Sequence, residues 1–522
     1  MSARKIGLLI LILGFGAAIE TAWHVRGDWN IGPEGCRVIG GRFYGPSYAF
    51  EQTAERALPA GEAPRLEVKN AFGGVRVTAG APGVVKVKLR KVVFLPPEEK
   101  ARAFADRVEL RLSGDGAKVT VGTNRDEIAR GEDVGLETHL EIEAPAETVV
   151  EVRNEHGHVD LAGLAGADVV SSFDGVAVEK IAGALKLEAR HGDVRVSGIG
   201  GPLQLNARQG NVEVSDLAGP SKLEVEHGDV KAQATGALEI SVKFGGVEAD
   251  RVGGDLVVRG EHSEVQASDV VGRAEAETSF AAIHLARVGG DVRATAKNGD
   301  VTAEDVAGGL FAETTHASAS LDRVDGPVQV IVDHGEVEAR GLAKGAKVHT
   351  TGGDVSLDGF AGPVEVEVER GSARLSPRAA LAAEVKASAT NGEVRLDVPE
   401  GSRFDLDAES RRGELRIEVP GLAVTEKGGE PGRGHRATGQ LAGGGIAVHL
   451  RADGDVVLEA KPASPLADHP VAKPSVTAAT AEAPAPVASP SVAATPKPRA
   501  VPAEAAPQPP APPKEPKAPE AP

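Results

Sequence analysis

The chain has 522 residues, a net charge of −18 at neutral pH, 26% charged and only 3% aromatic residues, and 65 glycines. That charge excludes a nucleic-acid partner, because phosphate binding needs basic patches, and it works against attraction of the body to anionic headgroups. Scarce aromatics exclude a large rounded core in favour of a thin one of Val, Ala and Leu, and a single cysteine, Cys36, excludes an intrachain disulfide and a Cys-based zinc site.

At the N-terminus, Arg4 and Lys5 precede an uninterrupted apolar run over 6–19. Residues 1–22 therefore read as a signal peptide or a signal-anchor helix. The run is short against the ~20 residues of a spanning helix, and Gly16-Ala17-Ala18 is only a fair cleavage site, so cleavage and retention both stay open. Either outcome exports the body to the periplasm or cell surface, with the membrane met through this segment alone. Residues 23–65 read as a Gly/aromatic linker that holds Trp23, Trp29, Phe43, Tyr44, Tyr48 and Phe50. These rings suit a membrane interface, packing on the end of the next domain, or docking of a partner. The stretch 51–64 reads as plain linker.

Residues 66–149 read as an N-terminal cap. Within it, 66–80 (LEVKNAFGGVRVTAG) alternates like a strand pair, with Val75 and Val77 inward. A strand over 84–94, a short helix over 96–108 and a hairpin over 109–121 follow, and 136–143 leads onward. Residues 150–421 then repeat one phrase with a period of about 18 residues, roughly fifteen times, as in ALKLEARHGDVRVSGIGG (184–201) and PLQLNARQGNVEVSDLAG (202–219). Residues 422–460 read as a C-terminal cap, with 435–460 as a hairpin-like closure. Residues 461–522, rich in Ala, Pro, Lys and Glu, lack the apolar surface to fold and read as a disordered tail.

One repeat gives the architecture. Leu185, Leu187 and Ala189 alternate with Lys186, Glu188 and Arg190, the two-residue period of a half-buried strand. His191-Gly192 interrupts the pattern, Val194 and Val196 resume it, and Ile199 closes before Gly200-Gly201. Three short apolar edges with Gly at the corners describe one coil of an all-β, single-stranded parallel β-helix. A lone coil cannot bury its apolar side, whereas stacked coils can. Two columns keep one register. The first runs Val159, Val176, Val194, Val212, Val230 and on to Val394 and Leu415; the second runs Ile181, Ile199, Leu217, Val252, Val288, Val306, Val324 and Phe360.

The phrase [LV]-x-[VL]-x-x-x-x-G-[DE]-V-x-[VL], with Asn70-Ala71-Phe72-Gly73-Gly74-Val75 and Asn154-Glu155-His156-Gly157-His158-Val159 as its N-terminal copies, resembles the bacterial putative-adhesin family of unknown function and the heads of autotransporter-like adhesins. The resemblance covers roughly 66–460. It implies a right-handed β-solenoid in the cell envelope with no established catalytic residues. Bactofilin-like solenoids share the coil size but are cytoplasmic polymers without an export signal.

The position before the turn glycine carries His156, His191, His227, His262, His316 and His334, a stripe of imidazoles suited to metal binding or pH sensing. Coils stack ~4.8 Å apart and most of these histidines lie two coils apart, which favours a surface ladder of flat side chains shielding the turn. Asp193, Asp229, Asp300, Glu336 and Asp354 follow the turn glycine, but the GGxGxDxUx calcium repeat is absent, and turn-favouring acids exposed to water explain them. A glycan-active enzyme needs carboxylates in a cleft with aromatic platforms. The repeats have neither Trp nor Tyr, and GxSxG, HExxH and GxxxxGK[ST] are missing.

These readings converge on a non-enzymatic envelope solenoid without a cofactor, acting through its surface as adhesin, scaffold or spacer. Its expected partners are an envelope protein, peptidoglycan or a surface glycan. An envelope-stress sensor, and after it a polysaccharide-active β-helix, are the alternatives.

Overall fold

The computed structural model describes residues 37–39, 42–59, 63–129, 134–428, 434–462 and 471–474. The apolar segment 1–22, Trp23, Trp29, Cys36 and most of the Pro-rich tail lie outside these residues. Among the described residues no helix is long and apolar enough to cross a membrane.

The two-residue period makes each repeat two strands. In the coil at 185–199 the first strand is Leu185–His191 and the second Val194–Ile199, both with alternating burial. First strands pair with first strands, parallel and in register: Leu185, Leu187 and Ala189 face Leu203, Leu205 and Ala207. Second strands do the same, with Val194, Val196 and Ile199 facing Val212, Val214 and Leu217. Fourteen consecutive coils, from Val149–His156 and Val159–Ala162 to Val385–Asn391 and Val394–Val398, build two long parallel sheets this way.

Their inward residues form one continuous apolar core from Leu66 to Leu458. Each fully buried Val, Leu or Ile contributes about 1.5–3 kcal/mol, and the branched side chains suit a pleated stack. Both columns read from the sequence are buried from end to end, with one exception: Leu415 is only half-buried.

The expected three-edged coil is corrected to two strands per coil. The third apolar edge, Ile199 and its equivalents, is the end of the second strand, continuing the same pairing after one skipped residue. That skipped residue holds a left-handed backbone: φ is 55° at Lys180, 54° at Asp216, 52° at Ala234, 55° at Asp269 and 56° at Asp305. One left-handed residue bends a strand without ending its ladder, so a corner appears inside a strand.

At the opposite corner the turn glycine is required by close approach. A Cβ on Gly210 would lie 2.2 Å from the carbonyl oxygen of Gly192, and one on Gly228 2.1 Å from that of Gly210.

Both ends depart from chain order. At the N-terminal end the coil of Arg65–Phe72 and Val75–Gly80 stacks under the first regular coil. Beneath it lies a later segment, with Lys118–Thr123 parallel to the first strand and Gly135–Pro145 parallel to the second. Strand Val84–Phe94 then runs antiparallel to Gly135–Pro145, and Tyr48–Ala57 antiparallel to Val84–Phe94. The linker expected over 51–64 is therefore a strand as far as Ala57. It forms because its alternating side chains cover one more edge of the stack.

Helix Glu98–Ala105 packs Ala101, Phe104 and Ala105 into a small second core with Val93, Val108 and Leu136, edged by Tyr48 and Phe50. The aromatic rings of that stretch that are described thus pack on the solenoid end.

At the C-terminal end the expected hairpin over 435–460 is corrected as well. Strands Ile446–Ala452 and Val456–Ala460 make a full parallel coil that inserts between the coil ending at Val398 and the coil of Phe404–Ser410 and Leu415–Glu418. Leu415 consequently pairs with Val456 rather than Val394, at the open edge. Antiparallel strands His435–Leu441 and Leu422–Gly428 close the first sheet there. An antiparallel end removes the template that an open parallel stack would offer to another molecule.

The register has a direct test. Val230 is buried at 1% exposure, whereas Lys231 points to water and pairs with Glu248 at 3.0 Å. Val230→Asp should cost about 3–5 kcal/mol by burying an unpaired charge, and Lys231→Asp much less, because its carboxylate stays in water even beside Glu213 and Glu248. Denaturant melts of the two variants check this, and equal tolerance would refute the register.

Candidate functional site: side-chain ladders and a polar trough

In-register stacking places each side chain over its equivalent ~4.8 Å away. Chemistry-bearing residues therefore form ladders along the molecule.

The histidines read from the sequence sit at the ends of first strands, at the glycine corner. His156 stacks between Phe72 and Phe173 at ring distances of 4.2 and 4.4 Å, and Phe173 stacks on His191 at 5.0 Å. After Gln209 the column resumes as His227, Phe244, His262 and Phe280, spaced 5.0, 5.2 and 4.9 Å. His316 stacks on His334 at 5.4 Å. The guanidinium of Arg125 covers the Phe72 ring at 4.2 Å and closes the column at the N-terminal end. Parallel stacking turns the ring faces toward each other and leaves their edges to water. Phenylalanine between most imidazoles offers each a π face to stack on.

The ladder geometry suits stacking and not convergent ligation, since parallel rings aim their nitrogens side by side. Among the described residues no three of His, Cys, Asp and Glu converge to hold a metal ion.

Acids after the turn glycine do more than face water. Asp193 Oδ1 accepts the backbone N–H of Asn211 at 2.9 Å, Asn211 Oδ1 that of Asp229 at 3.0 Å, and Asp229 Oδ1 that of Gly246 at 2.8 Å. Asp300 and Asp354 accept those of Ser318 and Ser372. Each carboxylate satisfies a donor in the next coil that the strand ladders leave unpaired at the corner. Asn70 and Asn154, in the quoted N-terminal copies of the phrase, are buried and donate to the carbonyls of Gly73 and Gly157. Their role is turn closure.

The left-handed corner carries a ladder that alternation of apolar residues does not reveal. Arg287 bonds Asp269 through two nitrogens at 2.9 and 2.8 Å, and Arg323 bonds Asp305 at 2.7 and 3.0 Å. Asp269 and Asp305 are buried. The signal available in the sequence is their spacing, 269, 287, 305 and 323, one period apart with alternating sign. The Arg323 guanidinium holds the Asp305 carboxyl below the usual carboxylate range, and the backbone N–H of Ala472 adds to the effect against the desolvation.

The outer face of the second sheet forms a shallow trough, in two adjoining depressions of about 520 and 610 Å³ that share Glu213, Lys231, Glu248 and Gln266. Ser215, Gln233, Asp250 and Ser268 line one side of it, with His284 and Glu304 farther along. Ser215, Gln233, Asp250 and Ser268 stand on four successive coils, so the trough offers a polar group at each of these steps before Ala286 interrupts the row.

Residues 283–458 match the family described as Toastrack DUF4097, whose function is unknown. The matched stretch runs from mid-solenoid through the inserted coil, and the β-solenoid resemblance drawn from the repeated phrase is met there. No curated protein matches. A solved structure described as a "putative cell adhesion protein" from Clostridium sporogenes is 7% identical, aligned over 79% of this chain and 100% of that one with a TM-score of 0.15.

Phe244→Ala removes one ring from between His227 and His262 and should destabilise by about 0.5–1.5 kcal/mol beyond the small burial loss at an exposed corner. A melt unchanged within error would mean the stack contributes nothing.

Arg323→Ala keeps an allowed residue at the corner, as Ala234 shows with φ 52°, but takes the guanidinium from both oxygens of Asp305 and leaves the Ala472 N–H. It should cost about 1–3 kcal/mol near neutral pH. Because the folded-state pKa of Asp305 is depressed, its ion pair stabilises above the unfolded carboxylate value, about 3.9, and is lost as pH falls through the folded value. The gap between wild type and Arg323→Ala should therefore shrink below pH 4, as followed by melts across an acid series.

Proposed function

We propose that this chain is a non-enzymatic β-solenoid of the cell envelope that acts through its surface, as an adhesin, scaffold or spacer, on an extended polymer such as peptidoglycan or a surface glycan. The observation that carries the reading is the trough on the second sheet. It presents hydroxyl, amide and carboxylate groups at Ser215, Gln233, Asp250 and Ser268 in coil after coil, and a repeating surface suits a repeating ligand. Contacts at each step are weak, and many steps in one register sum to useful affinity.

The side chains that a catalytic reading would recruit support the same view. Imidazoles are stacked with phenylalanines, and the turn acids accept backbone N–H groups of the next coil. An export segment over 1–22 places such a body in the envelope, tethered or released, where an envelope protein is a further partner.

Filling the trough tests the reading. Gln233→Arg with Ser268→Arg enlarges an exposed and a half-buried outward side chain, the latter giving up its hydroxyl bond to Asp250 Oδ1 at 2.7 Å, and should leave stability within about 1 kcal/mol. It should weaken co-sedimentation with isolated peptidoglycan, or binding to a surface-glycan array, at least tenfold. Undiminished binding by the filled variant, or release of new glycan ends by purified protein, would overturn the proposal.

A further inference from the structure

The left-handed corner holds one element that stacking of coils does not require. Residues 471–474 lie against it, eleven residues beyond the end of the inserted coil at Lys461, whose N–H still bonds Val398. The backbone N–H of Ala472 donates to Asp305 Oδ1 at 3.2 Å, the oxygen that also accepts from Arg323 Nε. Pro474 sits over the next coil toward the N-terminal end: a Cβ on Gly289 would lie 3.4 Å from Pro474 Cγ and 2.6 Å from the carbonyl oxygen of Val271. Val471 and Pro474 are half-buried, while Ala472 and Lys473 face water.

The spacing of its contacts fits an extended peptide crossing the strands. Ala472 and Pro474 touch successive coils, one step of ~4.8 Å, within the ~6.6 Å that two extended residues span. The chain is also long enough. Six coil steps, ~29 Å, separate the coil of Lys461 from that of Asp305, and eleven residues reach ~36 Å.

We infer that the corner formed by Asp305, Arg323, Gly289 and Val271 is a docking site for a proline-containing extended peptide, occupied in cis by the chain's own residues 471–474. Its recognition elements are complementary. A carboxylate fixed by Arg323 receives a peptide N–H that no strand uses, and a missing side chain at Gly289 leaves room for a pyrrolidine ring. Val271, one coil further along, is a 46% exposed apolar side chain at the same corner. A partner peptide of the same chemistry reaches this corner only by displacing the resident segment.

Cross-linking in the full chain tests this, with Cys36→Ser as background. Lys473→Cys is paired either with Val271→Cys at this corner or with Phe280→Cys, exposed at the glycine corner of the neighbouring coil. A short bismaleimide should join Lys473→Cys to Val271→Cys within one molecule at least tenfold faster than to Phe280→Cys. Adding Asp305→Ala should slow the favoured cross-link several-fold, and Asp305→Asn, which keeps an acceptor oxygen, should restore part of the rate. Equal rates at the two corners, cross-links only between molecules, or a rate indifferent to Asp305→Ala would each overturn the inference.

Discussion

The structure depends on parallel, in-register pairing of each coil with its neighbours. Once a coil sits ~4.8 Å above its equivalent, every position meets its own copy. An inward column must then be apolar throughout, and valine, leucine and isoleucine fill it because branched side chains stack well on a pleated surface. An outward column meets the opposite difficulty, because like charges directly above one another repel.

The chain resolves that difficulty by alternation. Arg195 stands beside Glu213, Lys231 beside Glu248 and Lys347 beside Glu365 on the sheet faces. The left-handed corner alternates Asp269, Arg287, Asp305 and Arg323, and the glycine corner alternates histidine with phenylalanine over much of its length. Exposed pairs of this kind are individually weak. Their collective effect is on register, since a slip of one coil brings like charges together. In the histidine stripe, phenylalanine separates His156 from His191 and His227 from His262, whereas His316 and His334 are in direct contact.

Ends are where a stack is vulnerable, and both are closed by reordering the chain. Later segments slide beneath the first coil at one end and between the last two at the other, followed by antiparallel strands. An inserted coil ties residues far apart in sequence, so fraying an end requires breaking contacts of long span rather than peeling off one repeat. The last described residues then return to mid-solenoid, where Ala472 meets Asp305.

The sequence by itself determined the coil: its period, its two buried columns, the glycine at one corner and the absence of a rounded core. These are local properties, fixed by alternation and by where a Cβ fits, as at Gly210. Tertiary structure alone decided what depends on stacking. It placed the third apolar edge inside the second strand, because a left-handed residue such as Asp305 bends the backbone without breaking the pairing. It set Val456 against Leu415 and made 48–57 a cap strand, since those pairings join distant segments whose local patterns are ordinary. It also turned turn acids into acceptors for the next coil, and exposed side chains into ladders and a trough, because only the ~4.8 Å repeat brings one coil's groups within reach of another's.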